Sequence, residues 1–414
     1  MNKLSILVAA GLGTAGGVAH ANGFLLNEFD AKAVGRGNAS TATDVDPSSI
    51  YYNVGGIAVG EGTQFQIGGS LVTPNASFTD ASGVKTESNT STQVIPHIFI
   101  TSRITSMISV GVGFYTPFGL AVSWPDNSPQ TDQIHKEALH TFFITPAFGV
   151  NLGSVVPGLS AGGGFDIVPA TVELEQDVFF GTERGNAKLG GTALGIGGRI
   201  GVMYQPHSIR QLSLGAMWRS DVKEEFDGTG DFNAPAPFRS QLPPDGPVKT
   251  SVTLPQSISG GVAVRPTEVL EIEANVIWTN WSKFKSLNID VPATMGTGTM
   301  TISQIRNYED KTTFRIGAEY RLPRLNLAVR AGYIYDPTPV PAEHLGPDLP
   351  DVDRHDLTLG GSFGFGNYSI HLGLLWVLPG SRKTSDTPLM PVNKGTYDVS
   401  AFVGSLTLSG RIGK

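Results

Sequence analysis

A chain of 414 residues with 52 Gly, 27 Pro, no Cys and a formal charge of −7 has no basic cluster to neutralise a phosphate backbone, which excludes nucleic acid as a partner. Only 16% of residues are charged and the mean hydropathy is near zero, yet no stretch beyond the N-terminus is apolar enough to cross a membrane as a helix of about 20 residues. An average near zero is what alternating apolar and polar residues leave behind, and a lack of Cys suits passage through an oxidising compartment.

Met1–Ala21 reads as a secretory signal peptide, with Lys3 as the positive start, Leu4–Ala10 as the apolar core and Ala19-His20-Ala21 before the cut. Cleavage there leaves Asn22 as the new N-terminus. Residues 22–62 do not read as strands. They carry scattered apolar residues, a polar stretch at 35–46 and a short segment, 47–58, that Pro47 opens as a helical turn. This is a small packed insert ahead of the main domain, residues 63–414.

From Gln64 onward the pattern is one-sided. Runs of alternating residues are joined by a tight turn, then a long polar gap, then a tight turn again. The tight joins lie at 102–105, 205–208, 265–268, 322–325 and 364–367; the long ones at 123–137, 224–250, 286–311, 337–354 and 380–395. A soluble sandwich has no reason to place its long loops on one side, whereas an outer-membrane barrel has short periplasmic turns and long outer loops. About fourteen strands can be counted, an even number that returns both ends to one side. The fold class is therefore all-β, a 14-stranded antiparallel transmembrane β-barrel. Closure matters because hydrocarbon cannot satisfy the N–H and C=O groups of a free edge.

The alternation assigns faces. In 368–376 the even positions are apolar and face lipid, while in 313–321 the odd positions Arg315, Gly317, Glu319 and Arg321 face the lumen. Trp218, Trp278, Trp281 and Trp376 fall late in upward strands, where an aromatic girdle belongs. The inward charges Arg199, Arg219, Glu271, Glu273, Arg315, Glu319, Arg321 and Arg330 mix both signs, as pairs binding wall to plug do. A carboxylate ligand calls instead for one unpaired arginine beside an apolar pocket; Arg199, Arg315 and Arg330 are the candidates.

Within 111–119, Gly111, Gly113 and Gly119 weaken a strand and Pro117 cannot donate to a ladder, next to the bulky Phe118. Such a segment either kinks and parts from its neighbour or ends at the loop. Apolar residues in the 224–250 and 286–311 loops offer a landing groove, or self-packing. The acidic 337–356 stretch is a solvated loop, with cation or lipopolysaccharide bridging as the alternative. Enzyme motifs fail on context: the GxGxxG at 11–16 lies in the signal peptide, and the GxSxG at 360–364 lies inside a strand, where no nucleophile elbow forms. No enzyme, metal or cofactor is expected, and a polar-solute porin is disfavoured by the insert.

Several segments resemble the outer-membrane long-chain fatty-acid and aromatic-hydrocarbon transporter family (the FadL/TodX type). They are Gly23–Phe29 with Gly35-Arg36-Gly37, Ser49–Gly56, Gly111–Leu120, Trp278–Phe284 and Leu349–His355, in order along nearly the whole mature chain. Where the family carries Asn-Pro-Ala in its plug, this chain keeps Asn53 but has Val54 and Gly55. It also ends in Lys414 rather than an aromatic residue. The resemblance implies a barrel closed by a small, mainly helical N-terminal hatch in the outer membrane of a Gram-negative bacterium. It implies passive uptake of hydrophobic small molecules, long-chain fatty acids first and neutral aromatics as the alternative. Capture at the outer loops, a gate at Phe24, Leu25 and Leu26, and lateral exit at Gly111, Gly113, Pro117, Phe118 and Gly119 follow from it. A monomer in contact with lipid and lipopolysaccharide is expected.

Overall fold

The computed structural model describes residues 23–126, 128–295, 297–385 and 394–412; the expected signal peptide lies outside them. Alternating, turn-punctuated segments become fourteen antiparallel barrel strands. They are β1 (Thr63–Asp80), β2 (Gln93–Arg103), β3 (Ile108–Tyr115, continued by Gly119–Ser123), β4 (Lys136–Thr141, continued by Phe143–Asn151), β5 (Leu159–Phe180), β6 (Glu183–Tyr204) and β7 (Leu212–Arg219, continued by Val222–Asn233). The second half comprises β8 (Gly246–Leu254, continued by Ser257–Val264), β9 (Leu270–Thr279), β10 (Lys311–Leu322), β11 (Leu327–Asp336), β12 (Arg354–Phe365), β13 (Tyr368–Lys383) and β14 (Gly395–Ile412). Register pairs running from Thr63↔Ile412 to Asp80↔Gly395 join β14 to β1 and close the barrel.

The two faces follow the sequence period. On β13, Tyr368, Ile370 and Leu372 are exposed on the outside while His371 and Leu375 are buried in the lumen. On β10, Phe314 and Ile316 point out, and Thr313, Arg315 and Glu319 point in. The outward set meets hydrocarbon, so its exposure to solvent carries no penalty once the chain is inserted.

Two long joins are not loops. The 224–250 gap holds the outer halves of β7 and β8, and the 286–311 gap forms a hairpin, Ser286–Pro292 with Thr299–Ile305. Inward Phe226, Phe232, Leu287, Ile289 and Val291 are buried. Above the membrane the barrel wall continues, now apolar inside and charged outside. The acidic 337–356 stretch also differs from a solvated loop. Asp351 and Asp356 are buried, Asp348 pairs with Arg306 at 2.6 Å, and no metal-holding group of acidic or His residues occurs among the described residues.

Residues 23–62 fill the lumen. They are helical in three short pieces, α1 (Ala31–Val34), α2 (Ser49–Tyr52) and a 3-10 turn (Val54–Ala58), with bends between. Inward glycines let this backbone reach the wall: a methyl group on Gly317 would lie 2.0 Å from the Arg36 carbonyl oxygen, and one on Gly162 2.2 Å from that of Val54. Polar bonds complete the seat. Arg36 donates to Glu271 at 3.0 Å, and Glu273 accepts from the Ala42 N–H at 2.7 Å. Asn53 donates to the Thr41 and Val202 carbonyls at 2.7 and 3.0 Å, and its Oδ1 accepts from the Gly55 N–H. Buried polar groups tolerate burial only when paired, and here hatch and wall pair each other.

Candidate functional site

The third strand is broken where its sequence is weakest. Its lower part pairs with β2 only as far as Phe114↔Ile98. Thr116, Pro117 and Phe118 leave strand geometry, and β3 resumes at Gly119 paired with β4 alone. Above Ile98, residues 93–97 of β2 pair with β1 on one side and, among the described residues, with no strand on the other. Wall and loop meet again at the Asn89 N–H, which donates to the Ser123 carbonyl at 3.0 Å. Pro117 without an N–H and Gly119 without a side chain account for the break.

The N-terminal segment occupies that break from inside. The Leu26 N–H donates to the Pro117 carbonyl at 2.8 Å, the Gly119 N–H donates to the Phe24 carbonyl at 2.9 Å, and Leu25 bridges Phe118. The Thr141 hydroxyl donates to the Phe118 carbonyl at 2.6 Å, so the kink is held on both flanks. Phe24, Leu25 and Leu26 are all buried. The Phe24 ring lies 4.9 Å from Trp281, 5.7 Å from Phe284 and 6.1 Å from Phe118, centroid to centroid. Trp281 is thus not part of a girdle. β9 ends at Thr279, Asn280 is tied to Asp310, and a 3-10 turn swings the indole inward, where it is fully buried. Trp218, by contrast, is partly exposed on the outer wall.

Above the Phe24–Trp281 contact lies a cavity of about 510 Å³ built by the outer strands and loops. Leu174, Val178, Leu189, Phe232, Ile289 and Leu345 supply its apolar surface, with Glu137, Arg306 and Asp348 on its polar side. These residues come from six separate chain segments, which is why no local motif announces the cavity.

The arginines differ in what holds them. Arg199 donates twice to Asp166, at 2.8 and 3.1 Å, and once to the Ile50 carbonyl at 3.0 Å. Arg330 binds Glu319 at 2.7 Å and Ser362 at 2.5 Å, in a polar cavity on the short-turn side. Arg315 reaches the Asn38 carbonyl of the hatch at 3.3 Å. Arg219 is buried yet has no carboxylate within 4 Å among the described residues. Its guanidinium lies 5.0 Å from the Phe118 ring centroid and its Nε has no hydrogen-bond partner. Ser362, the centre of the GxSxG at 360–364, meets His371 at 2.5 Å, but the other nitrogen of His371 pairs with Ser409 at 2.8 Å, and among the described residues no carboxylate hydrogen-bonds to it. A base without an orienting acid, on a flat cross-strand pair, is a structural contact rather than a triad.

Residues 13–383 match the family model described as outer membrane protein transport protein (OMPP1/FadL/TodX). The chain is 24% identical over 422 residues to the long-chain fatty acid transport protein of Escherichia coli K12, covering 90% of this chain and 91% of that one. It is 23% identical over 412 residues to the protein of the same name from Salmonella typhi, with the same coverage. Among solved structures, a Pseudomonas aeruginosa FadL homologue superposes with a TM-score of 0.81 at 18% identity, covering 94% of this chain and 99% of that one. The Pseudomonas putida toluene transporter TodX superposes with a TM-score of 0.74 at 19% identity, covering 94% and 100%. With the closed barrel, the filled lumen and the broken third strand already described, the chain belongs to the OMPP1/FadL/TodX outer membrane protein transport family, and is a hydrophobic-compound transport channel of the Gram-negative outer membrane rather than an enzyme.

Proposed function

We propose that this channel takes up long-chain fatty acids as a monomer, with lateral release into the bilayer. The outer cavity captures the chain, and apolar burial at about 25 cal/mol per Å² supplies the drive. The acid then passes the Phe24–Trp281 contact, where Arg219 takes the carboxylate in place of Arg199, Arg315 or Arg330. A guanidinium in an apolar setting with unused donors suits a bidentate carboxylate. Displacing Phe24, Leu25 and Leu26 frees Pro117, Phe118 and Gly119, and the chain leaves between β2 and β3, with Gly111 and Gly113 keeping the lower strand thin. The observation that carries this reading is the pair of backbone hydrogen bonds joining the N-terminal segment to the broken strand beside an unladdered stretch of wall.

A second reading, uptake of neutral aromatics, is favoured by the outer cavity itself. Its one arginine, Arg306, is already paired with Asp348 at 2.6 Å. The test is uptake of a labelled long-chain fatty acid, with toluene as competitor, in cells lacking their own transporter. Fatty-acid uptake indifferent to toluene supports the first reading. Toluene uptake without fatty-acid uptake supports the second, and uptake of neither by inserted protein overturns both.

A further inference from the structure

The wall is interrupted at a second place, four strands away. The β6–β7 ladder stops at Arg199↔Arg219 and resumes at Thr192↔Asp227, with one extra residue on the β7 side. Across the interval Ser220 ties the two strands at its lower end: its N–H donates to the Gly198 carbonyl at 2.8 Å and its Oγ accepts from the Gly198 N–H at 2.9 Å. Above Ser220, residues 193–197 and 222–226 share no ladder pairs. Side chains close the seam instead of backbone. A methyl group on Gly195 would lie 2.3 Å from Glu224 Oε1 and 2.4 Å from Val222 Cγ1, and one on Gly197 would lie 2.6 Å from Val222 Cγ2. Two inward glycines thus leave a notch that Val222 and Glu224 fill.

Glu224 makes this more than a bulge. It is fully buried, and among the described residues neither carboxylate oxygen has a hydrogen-bond partner of good geometry, though the Gly195 amide is beside it. A buried carboxylate left so poorly satisfied costs stability and is hard to explain as wall packing. The outer side of the notch is apolar, as is the upper part of its inner side, while Asp166 lies beside Gly197 at the lower end. Outside stand Leu194 and Ile196, exposed by 67% and 61%; inside stand the buried Val168, Ala170 and Leu254. The seam also sits at the height of the first break: Phe114 is six residues past the start of β3 at Ile108, and Arg219 seven past the start of β7 at Leu212.

We propose that the β6–β7 seam is a second lateral opening, shut at rest by Val222 and Glu224, that passes uncharged hydrophobic compounds between the lumen and the bilayer. An ionised carboxylate would have to shed its hydration to pass this apolar notch, whereas an alcohol or hydrocarbon would not. The proposal shares the lumen with the fatty-acid route but does not depend on the β2–β3 exit.

The chain has no Cys, so Gly197→Cys with Val222→Cys gives a clean lock; their Cβ atoms fall near the separation of about 3.5–4.5 Å that a disulfide needs. Uptake of a labelled long-chain alcohol and of the fatty acid of equal length is compared before and after oxidation, in the same inserted protein, with background from cells lacking the channel. The expected result is at least a fivefold loss of alcohol uptake on oxidation, restored by reductant, with fatty-acid uptake unchanged. Alcohol uptake unaffected in cross-linked protein overturns the proposal, and so does an equal loss of both, which places the lock on a common path. Should the double variant fail to insert, Val222→Ala thins the seal. Alcohol uptake then rises at least twofold over the wild type, and an unchanged rate overturns the proposal. Absence of fatty-acid uptake by the wild type sinks the reading above without touching the alcohol measurement.

Discussion

Replacing Phe24 by Ala separates the two forces that hold the N-terminal segment against the kinked strand. The ring is 3% exposed and meets three aromatic partners within 6.1 Å. Truncating so buried a Phe costs about 3–5 kcal/mol. The two backbone bonds, Leu26 N–H to Pro117 and Phe24 carbonyl to Gly119, survive the change at about 1 kcal/mol each. The docking equilibrium of the segment therefore weakens by about two to three and a half decades, at about 1.4 kcal/mol per decade. Hydrogen exchange by mass spectrometry reads this locally, because the amides of Leu26 and Gly119 exchange through opening of this contact. Their peptides should lose protection by about 100-fold or more, while peptides spanning Tyr52 and Asn53, held by separate bonds to the Phe29 carbonyl of the hatch and the Val202 carbonyl of the wall, should not change. Unchanged protection at Leu26 and Gly119 would refute the idea that the aromatic socket, not the short ladder, sets the gate.

Arg219→Gln should cut fatty-acid uptake about tenfold or more and leave toluene uptake alone; equal loss of both would mean that the guanidinium only supports Phe118. Gly317→Ala forces a methyl group to within 2.0 Å of the Arg36 carbonyl, an overpacking that costs about 1–3 kcal/mol. Thermal unfolding in detergent should begin several degrees lower, and an unchanged curve would show that the hatch is not seated there. Asp351 accepts from the Thr338 hydroxyl at 2.6 Å and the Gly23 N–H at 3.3 Å, and burial pushes its carboxyl up to about 7. The folded state therefore holds this proton more tightly than the unfolded chain, whose carboxyl titrates near 3.9. Stability from this group is full below about 4 and falls as pH rises toward 7. Asp351→Asn should flatten the loss of stability between pH 5 and pH 8; a slope identical to that of the wild type would reject the assignment.

The membrane-embedded wall was legible because lipid imposes one rule, apolar outward, on every second residue. The turns at 322–327 and 365–368 carry the Pro, Gly and Asn that mark them. Where strands rise above the membrane that rule lapses. On β7, Lys223, Glu225 and Asp227 face water while Val222 and Phe226 face in, so the segment reads as a polar loop although its period of two persists. Trp281 reads as girdle because a strand pattern leads up to it, but it turns inward at a 3-10 turn whose flanks, Asn280 and Ser282, are both tied to Asp310. Arg219 has the same sequence character as Arg199. What separates them is whether Asp166 is within reach, a fact of register between strands far apart along the chain.

The register between Thr63–Asp80 and Gly395–Ile412 also constrains how the barrel is built. The first wall strand waits for the last one, and the segment lodged inside is made before either. A barrel cannot be sewn shut and then stuffed through a wall that has no edge. The N-terminal residues are either already folded against the open sheet when its ends meet, or enter afterwards through the short-turn mouth beside Gly62, where they are tethered. Seating the plug is therefore a step of biogenesis, and a chain whose plug fails to settle would reach the membrane as an open pore.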